Sequence, residues 1–537
     1  MTELDRIAKH LSRRAVLALG ITGWMTAEAA HAQGAQSAMR LKADGAERAM
    51  PARWLGYNTP ANYDIPIEEP AFRDAVKALR PHYLRFPGGT VANYYQPETG
   101  QLDFGDFPNG SDYRKYLQKQ AAPAARKLHP KGVTVEQYID LCREMGAELV
   151  VVPNLETSSL ASQAKWFKAM NAHGFIPRDV EMGNEFYLAL LMDPVTLAIF
   201  PDWKTTLART KAYTDAIRPY IAKDARIAVQ SASSKLHVPY GDASTPRQVH
   251  EAQWDRDMAP APWFEAVTSH LYPTIEGSAG PGSLKGLPGN AETVYPAFLA
   301  RTDDGFDRSI SATVAKMPGK EIWITEWGAF EPSSTLAGVP VTFDGMWLHM
   351  ITRGLLAQLR HKEVTVSTHH ALFAQGNLMS TFRRDGAPDQ TGRANDLGGA
   401  GGSPAGGYSP INAAGVIAWF CEASRGPDAH YQRVAVQGSN RIAAASTVAG
   451  EGFRDLEAGM FRVGRARTLF VHNAWKTSVQ LDISDLVGSD AQATTDLIET
   501  PNLLASLQRA TPTPRAVTTA SRLVAPPHSL LRIRWSA

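Results

Sequence analysis

The stretch DVEMGNEFYL, residues 179–188, is a short apolar and acidic run that stops at Gly183 and then presents Asn184, Glu185 and two aromatics. A strand that breaks at a glycine and delivers an amide beside a carboxylate reads as one that opens onto a site. Seven further apolar runs rich in β-branched residues accompany it: RWLGYN (53–58), HYLRFPGG (82–89), ELVVVPNLE (148–156), RIAVQSAS (226–233), AVTSHLYP (266–273), EIWITEWG (321–328) and VTVSTHHALF (364–373). Helix-like patterns separate many of them. EPAFRDAVKALRP precedes the second run, TVEQYIDLCREMGA (with Thr134 as N-cap) the third, ASQAKWFKAMNAHG the fourth, WKTTLARTKAYTDAIRPYIA the fifth and FDGMWLHMITRGLLAQLRH the eighth, and INAAGVIAWFCEASRG follows the eighth. Strands alternating with helices imply parallel βαβ units, and eight units predict an α/β fold of the (β/α)8 TIM-barrel type. A doubly wound sheet is the rival, but FPGGTVAN does not fit the G-x-G-x-x-G turn it would carry.

Working outward, the barrel spans residues 50–425. Inserts at 96–130 and 274–318, rich in Gly, Pro, Asp and Ser, and the Gly-rich 396–410 read as loops on the face that binds substrate. Beyond residue 425 the pattern turns to short alternating strands such as HYQRVAVQG, GMFRVGRARTLFVHNAW and SLLRIRWSA, which predict an antiparallel β-sandwich over 426–537. The segment 33–49, with SAMRLKADGAER, is positioned to add a strand to it from the N-terminal side.

Residues 1–32 read as an export signal. Arg13 and Arg14 precede a moderately apolar stretch, and Ala30–His31–Ala32 offers the small residues of a cleavage site. The paired arginines resemble a twin-arginine signal; an ordinary secretory signal or a membrane anchor is the alternative, although the apolar stretch is short and carries Glu28. The expectation is a periplasmic or secreted protein with no membrane association after cleavage. A net charge of +2 over 537 residues, without a long Lys/Arg run, gives no sign of a nucleic-acid partner. Two cysteines, Cys142 and Cys421, allow one disulfide in an oxidising compartment; their helix-like settings favour two buried thiols, and their spacing offers no metal site.

In a barrel, chemistry sits at the C-terminal ends of the strands. There the runs place Arg85, Asn154, Glu156, Asn184, Glu185, His270, Tyr272, Glu326, His369 and His370. Glu185 and Glu326, across one mouth, form a carboxylate pair of the kind glycosidic cleavage needs, one to protonate the leaving oxygen and one to attack or to activate water. His369 and His370 are neighbours on a strand and face opposite sides, so they do not share a metal; one of the two, assigned as His370, reaches the pocket. Asn154 and Glu156 either line the pocket or close their strand. Trp327 is the best candidate for a sugar-stacking face.

These motifs resemble glycoside hydrolase clan A. GNE (183–185) and ITEWG (324–328) resemble its acid/base and nucleophile motifs, LRFPGG (84–89) the second strand of the family 51 α-L-arabinofuranosidases, and SHLY (269–272) its His-x-Tyr element. The order of motifs and the trailing sandwich also fit families 39 and 79, the latter containing β-glucuronidases and heparanase. The resemblance implies Glu185 as general acid/base, Glu326 as nucleophile, and Asn184 on the sugar hydroxyl beside the anomeric carbon. It further implies Arg85 and Tyr272 orienting Glu326, His270 beside them, no metal or organic cofactor, and an oligosaccharide or polysaccharide substrate. NEFY, with Phe186 and Tyr187, and THHALF in place of a Trp on the eighth strand depart from the family 51 pattern and leave the sugar open. The alternatives are a non-catalytic glycan-binding protein on the same frame and a transglycosylase using the same residues.

Overall fold

The computed structural model describes residues 38–536, apart from 62–64, 106–113, 116–117, 120–121, 187–193, 233–252, 273–290, 329–334, 337–338, 341–342, 374–381, 385–406, 411, 445–449, 488–491, 501–502, 504–512 and 516–521. Residues 1–32, read above as an export signal, and 396–406 of the Gly-rich stretch lie outside the described residues.

Eight strands close into a barrel in the order read from the sequence: β1 Leu55–Pro60, β2 Tyr83–Gly88, β3 Glu148–Val151, β4 Asp179–Glu181, β5 Arg226–Gln230, β6 Ala266–Leu271, β7 Glu321–Trp327 and β8 Val364–His370. Neighbours pair in parallel, and β8 returns to β1 through Thr368↔Gly56 and His370↔Asn58. Around them run α1 Pro70–Ala78, α2 Val135–Met145, α3 Leu160–Ala172, α4 Trp203–Ile217, α5 Ala291–Thr302, α6 Asp304–Lys316, α7 Phe343–Leu359 and α8 Asn412–Ala423. α2 starts on a capping box, with the Thr134 backbone N–H bonded to Gln137 at 2.9 Å, and ends on Gly146 in the left-handed conformation that a helix stop favours. Both long inserts expected as loops hold helix, and in 96–130 it is Ala122–Leu128. The insert 274–318 is not all loop, because α5 and α6 occupy most of its described part. Its Gly/Pro composition comes from 273–290 and masks the apolar spacing of Phe298, Phe306 and Ile310, all buried against the barrel.

The barrel is filled from below. Tyr83, Val150, Ala228, Ala266, Trp323 and Val366 form its lowest apolar cluster. Beside them Tyr83 Oη donates to Asp179 at 3.1 Å, and Arg226 reaches Asp179 and Glu321. One rung higher on the same two strands stand Arg85 and Glu181. Side chains of alternate strands thus share layers, as barrel interiors require. In β7 the register breaks: Trp323 pairs with Thr268, yet Glu326 pairs with His270, three residues against two. That irregularity lets Thr325 and Glu326 both serve the interior.

Among the described residues nine strands form the second unit, hydrogen-bonded in one continuous, mostly antiparallel order. Met39–Ala49 pairs antiparallel with Ala429–Val436 and parallel with Val479–Asp482, so the N-terminal segment is built into this sheet. Leu41, Leu456, Leu469, Val471, Leu481, Leu531 and Ile533 bury a core separate from the barrel's. The units meet along α7. There Arg353 Nε donates to His472 Nδ1 at 2.8 Å, His472 Nε2 lies 2.7 Å from His349 Nδ1, and His349 Nε2 bonds to Thr500. Because arginine only donates, this chain of bonds fixes both imidazoles as neutral tautomers. Cys142 and Cys421 are free and buried, on α2 and α8. Among the described residues no helix is long and apolar enough to cross a membrane.

Candidate active site

The site grows from one buried arginine. Arg85, at the end of β2 and wholly enclosed, offers Nε and Nη2 to the two oxygens of Glu181 at 2.6 and 2.7 Å. Its remaining hydrogens point upward, with Nη1 2.8 Å from Glu326 Oε1 and Nη2 2.8 Å from Asn184 Oδ1. A planar guanidinium chelated on one edge therefore fixes what its other edge touches. Asn58, at the end of β1, adds a bond from Nδ2 to Glu326 Oε1 at 3.3 Å and is itself bonded to His370. Tyr272 Oη donates to Glu326 Oε2 at 2.8 Å.

Burial works against charge on Glu326, but the positive charges of His270 and Arg85, the His370 imidazole and the Tyr272 hydroxyl outweigh it and hold its pKa down to about 2. Glu326 is an ionised, desolvated and fully oriented carboxylate. For His270 the balance runs the other way. Burial opposes its charge, while Glu326, the nearby Glu181 carboxylate and the hydrogen bond to Glu185 raise its pKa to about 10. As an imidazolium it donates Nδ1–H to Glu185 Oε1 at 2.8 Å and Nε2–H to Thr325 Oγ1 at 3.1 Å, and Thr325 passes a bond on to Glu181 at 3.1 Å.

Glu185 reaches this cluster because of the turn after β4. Gly183 and Glu185 both adopt positive φ, +76° and +47°. A side chain on Gly183 would strike the Phe186 ring at 2.2 Å. Phe186 folds back under the turn, stacks on Phe200 at 4.1 Å and donates its backbone N–H to Gln230 Oε1 at 2.7 Å. Asn93 holds the Asn184 backbone at both ends, 3.1 and 2.8 Å. A non-glycine residue in the left-handed region survives only where its surroundings over-determine it, and these bonds do so. A carboxylate oxygen of Glu185, one of Glu326 and a ring nitrogen of His270 lie within 4.8 Å of one another. That set has the chemistry of a cation site, yet its nitrogen is protonated and Glu326 has donors on both oxygens, so as it stands the cluster is a hydrogen-bonded charge network.

No family model matches the chain, and no curated protein matches it. Solved structures do. A family 51 arabinofuranosidase from Xanthomonas axonopodis pv. citri superposes with a TM-score of 0.62 at 13% identity, covering 93% of this chain and 99% of that one. The family 51 α-L-arabinofuranosidase of Bifidobacterium longum gives 0.63 at 14%, covering 94% and 100%. A family 44 xyloglucanase from Paenibacillus polymyxa gives 0.54 at 11%, covering 93% and 99%. The chain shares its fold with the family 51 arabinofuranosidases. Barrel and β-sandwich both fall within that likeness.

Of the residues picked from the sequence, Arg85, Asn184, Glu185, His270, Tyr272, Glu326 and His370 meet in this cluster. Three do not. Trp327 points out of the barrel, fully buried, edge-on to His369 at 5.1 Å and over Gly354 of α7, so it offers no face to a sugar. Asn154 spends its side chain on its own loop, accepting from the backbone of Glu156 and Thr157, and on the neighbouring loop, donating to the Tyr95 carbonyl. Glu156 pairs with Arg114 and accepts from Thr196 at 2.8 Å. His369 faces the helices against Tyr57, Trp327 and Trp347, opposite to His370. The sequence reading missed Asn58, Asn93, Glu181, Gln230 and Thr325. Parity was the available signal for Glu181 and Thr325, since each stands two residues from another inward-facing side chain of its strand.

Proposed function

We propose that the protein is an exported, retaining glycoside hydrolase that cleaves O-glycosidic bonds of oligo- or polysaccharides by double displacement. The observation that carries this reading is the facing of Glu185 and Glu326 across the barrel mouth, with oxygens within 4.8 Å. That spacing suits direct attack, which uses carboxyl groups about 5–5.5 Å apart, rather than activation of an intervening water, which needs roughly 6.5–9.5 Å.

In the first step a Glu326 oxygen bonds to the anomeric carbon while the bond from that carbon to the leaving oxygen breaks, and Glu185 gives its proton to that oxygen. In the second, Glu185 takes a proton from water, the water oxygen bonds to the anomeric carbon, and the ester to Glu326 breaks. Two inversions give net retention. Asn184 suits the hydroxyl next to the anomeric carbon: its Oδ1 is held by Arg85, and its buried Nδ2 has no partner among the described residues. His270 orients Glu185 through their 2.8 Å bond. The mechanism calls for no metal or organic cofactor. Export rests on Arg13, Arg14 and the Ala30–Ala32 site. RFPGG at 85–89 and the names of the family 51 neighbours make α-L-arabinofuranoside the first sugar to test.

The test takes residues 33–537 against aryl α-L-arabinofuranoside, β-D-glucuronide, β-D-xyloside, β-D-glucoside and β-D-galactoside, with Glu326→Ala as control. Release by the parent alone, with retained anomeric configuration, is expected. Inverted product would overturn the double displacement. Silence with glycan binding intact would favour a binding protein, and transfer products at high acceptor sugar a transglycosylase.

A further inference from the structure

Three carboxylates and two cations share the barrel mouth, and the reaction proposed above uses only two of the carboxylates. Glu181 is the third. Its side chain is completely buried at the end of β4, two residues below the Gly183 turn. It chelates Arg85 through both oxygens, accepts from Thr325 at 3.1 Å and lies 3.8 Å from His270 Nε2. Burial works against its charge, but Arg85 and His270 outweigh that and lower its pKa, so it stays ionised. We propose that Glu181 is a positioning residue that aims Arg85 at both Glu326 and Asn184 and supplies the counter-charge Arg85 needs once Glu326 is esterified. The inference rests on the glycosidase reading.

In the reaction proposed above Glu185 enters as the acid, so the charges that face one another are Arg85 and His270 against Glu181 and Glu326, a sum of zero. When Glu326 bonds to the anomeric carbon its charge disappears, and Glu185 becomes the second anion by giving its proton to the leaving oxygen. The sum is again zero, but the negative charge has moved away from Arg85. Among the described residues Arg85 has two carboxylate partners, Glu326 at 2.8 Å and Glu181 at 2.6 Å. Without Glu181, esterification would strand a buried guanidinium, which low-dielectric surroundings penalise heavily. Geometry makes the same demand. With Nε and one Nη2 hydrogen occupied by Glu181, the remaining three reach Glu326 and Asn184 at 2.8 Å each and Asn58 Oδ1 at 3.0 Å. The nucleophile and the amide for the neighbouring hydroxyl are therefore held at a fixed separation.

The test compares parent, Glu181→Gln, Glu181→Asp and Glu326→Ala on the aryl glycoside that the parent cleaves, measuring kcat, KM and the pH profile of kcat/KM. Glu181→Gln is expected to lower kcat about 100-fold with KM changed less than about threefold, because the loss falls on the step that consumes the Glu326 charge. Removing a negative charge should also move both limbs of the profile to lower pH, by about half a unit to one unit. Glu181→Asp keeps the charge on a shorter arm and should lose about tenfold in rate with the profile in place. An active parent whose Glu181→Gln variant keeps kcat within threefold and both limbs in place would overturn the proposal. So would a Glu181→Asp variant whose profile shifts as far as that of Glu181→Gln, since Glu181 would then act only as packing. Should Glu181→Gln fail to fold by near-ultraviolet circular dichroism, Glu181→Asp decides: an unshifted profile at reduced rate supports the proposal, and a shifted one refutes it. A parent as silent as Glu326→Ala overturns the glycosidase reading itself, and this inference with it.

Discussion

Replacing Gly183 with alanine should disable the protein while leaving every charged group in place. Gly183 sits at φ +76°, and an alanine there costs about 1–2 kcal/mol in backbone strain. The added methyl would meet Phe186 at 2.2 and 2.3 Å, distances no real contact shows, so the ring has to move. Phe186 is buried and stacked on Phe200 at 4.1 Å, and forcing a packed ring aside costs roughly 1–3 kcal/mol more. Together these give about 2–5 kcal/mol of destabilisation. Phe186 is also the residue whose backbone N–H, bonded to Gln230, holds Glu185 in its left-handed conformation. A shift of about 1 Å at Glu185 would cost on the order of 100-fold in kcat. The assay is twofold: a thermal scan of the variant, and kcat on the aryl glycoside the parent cleaves. The midpoint should fall by several degrees and kcat by about 100-fold. A variant within twofold of the parent in rate, with its midpoint unmoved, would refute the claim that this turn places the acid/base.

Tyr272→Phe removes the 2.8 Å bond to Glu326 Oε2 and should lower kcat about 10- to 100-fold. With one donor fewer the Glu326 pKa rises, so the acid limb of kcat/KM moves to higher pH; an unmoved limb would contradict the role of Tyr272. Trp327→Phe should lower the thermal midpoint and leave KM alone, because the indole lies in the core; a raised KM would restore it as a sugar contact. Activity should survive dialysis against EDTA, and a loss recovered by a divalent cation would show that Glu185, His270 and Glu326 hold a metal. Four buried imidazoles set the acid stability. Burial is the main cause that lowers the pKa of His349 and His472 far below 6.5, and that of His82 and His369 to about 3. Groups with folded pKa below the unfolded value contribute stability above about pH 6.5 that is lost as pH falls, at about 1.4 kcal/mol per group and pH unit. The thermal midpoint should therefore drop steeply from pH 6.5 to 5, and His349→Gln should soften the slope; a flat midpoint would show that these rings are not held neutral. His270 works oppositely: its raised pKa, about 10, gives stability below pH 6.5 that is lost as pH rises toward 10.

Much of the barrel could be read without coordinates because its strands repeat one pattern. Each apolar run ends where the chain must change conformation, so the last residues of each run mark the mouth. That logic brought Arg85, Asn184, Glu185, His270, Tyr272, Glu326 and His370 to one place. It failed at Trp327, because an extra residue in β7 turns Glu326 inward and Trp327 outward, and no spacing in EIWITEWG announces such a bulge. It failed at Asn154 and Glu156 for another reason. The ends of strands also need fixing, and the amide and carboxylate there are spent on the backbone of their own loop and on Arg114.

Glu181 shows what a finer reading of the same ten residues would have found. On β4, Asp179 and Glu181 stand two apart and share the inner face; on β2, Tyr83 and Arg85 do the same. The structure joins them as two rungs, Tyr83 to Asp179 and Arg85 to Glu181, each 96 residues apart in sequence. A carboxylate facing the inside of a closed barrel has no water to satisfy it, so it demands a cation at its own level. Arg85 is the inward-facing cation at that level. Gly183 then breaks the alternation, which is why Asn184 and Glu185 leave the ladder and turn to the mouth while Glu181 stays beneath them. Above Asp179, residues 179–188 therefore carry two carboxylates with opposite settings: Glu181 locked below the turn by Arg85 and Thr325, Glu185 held above it by His270. Only the upper one has a backbone whose position depends on the glycine, and so Gly183→Ala and Glu181→Gln should fail differently, the first in stability and rate together, the second in rate and pH profile.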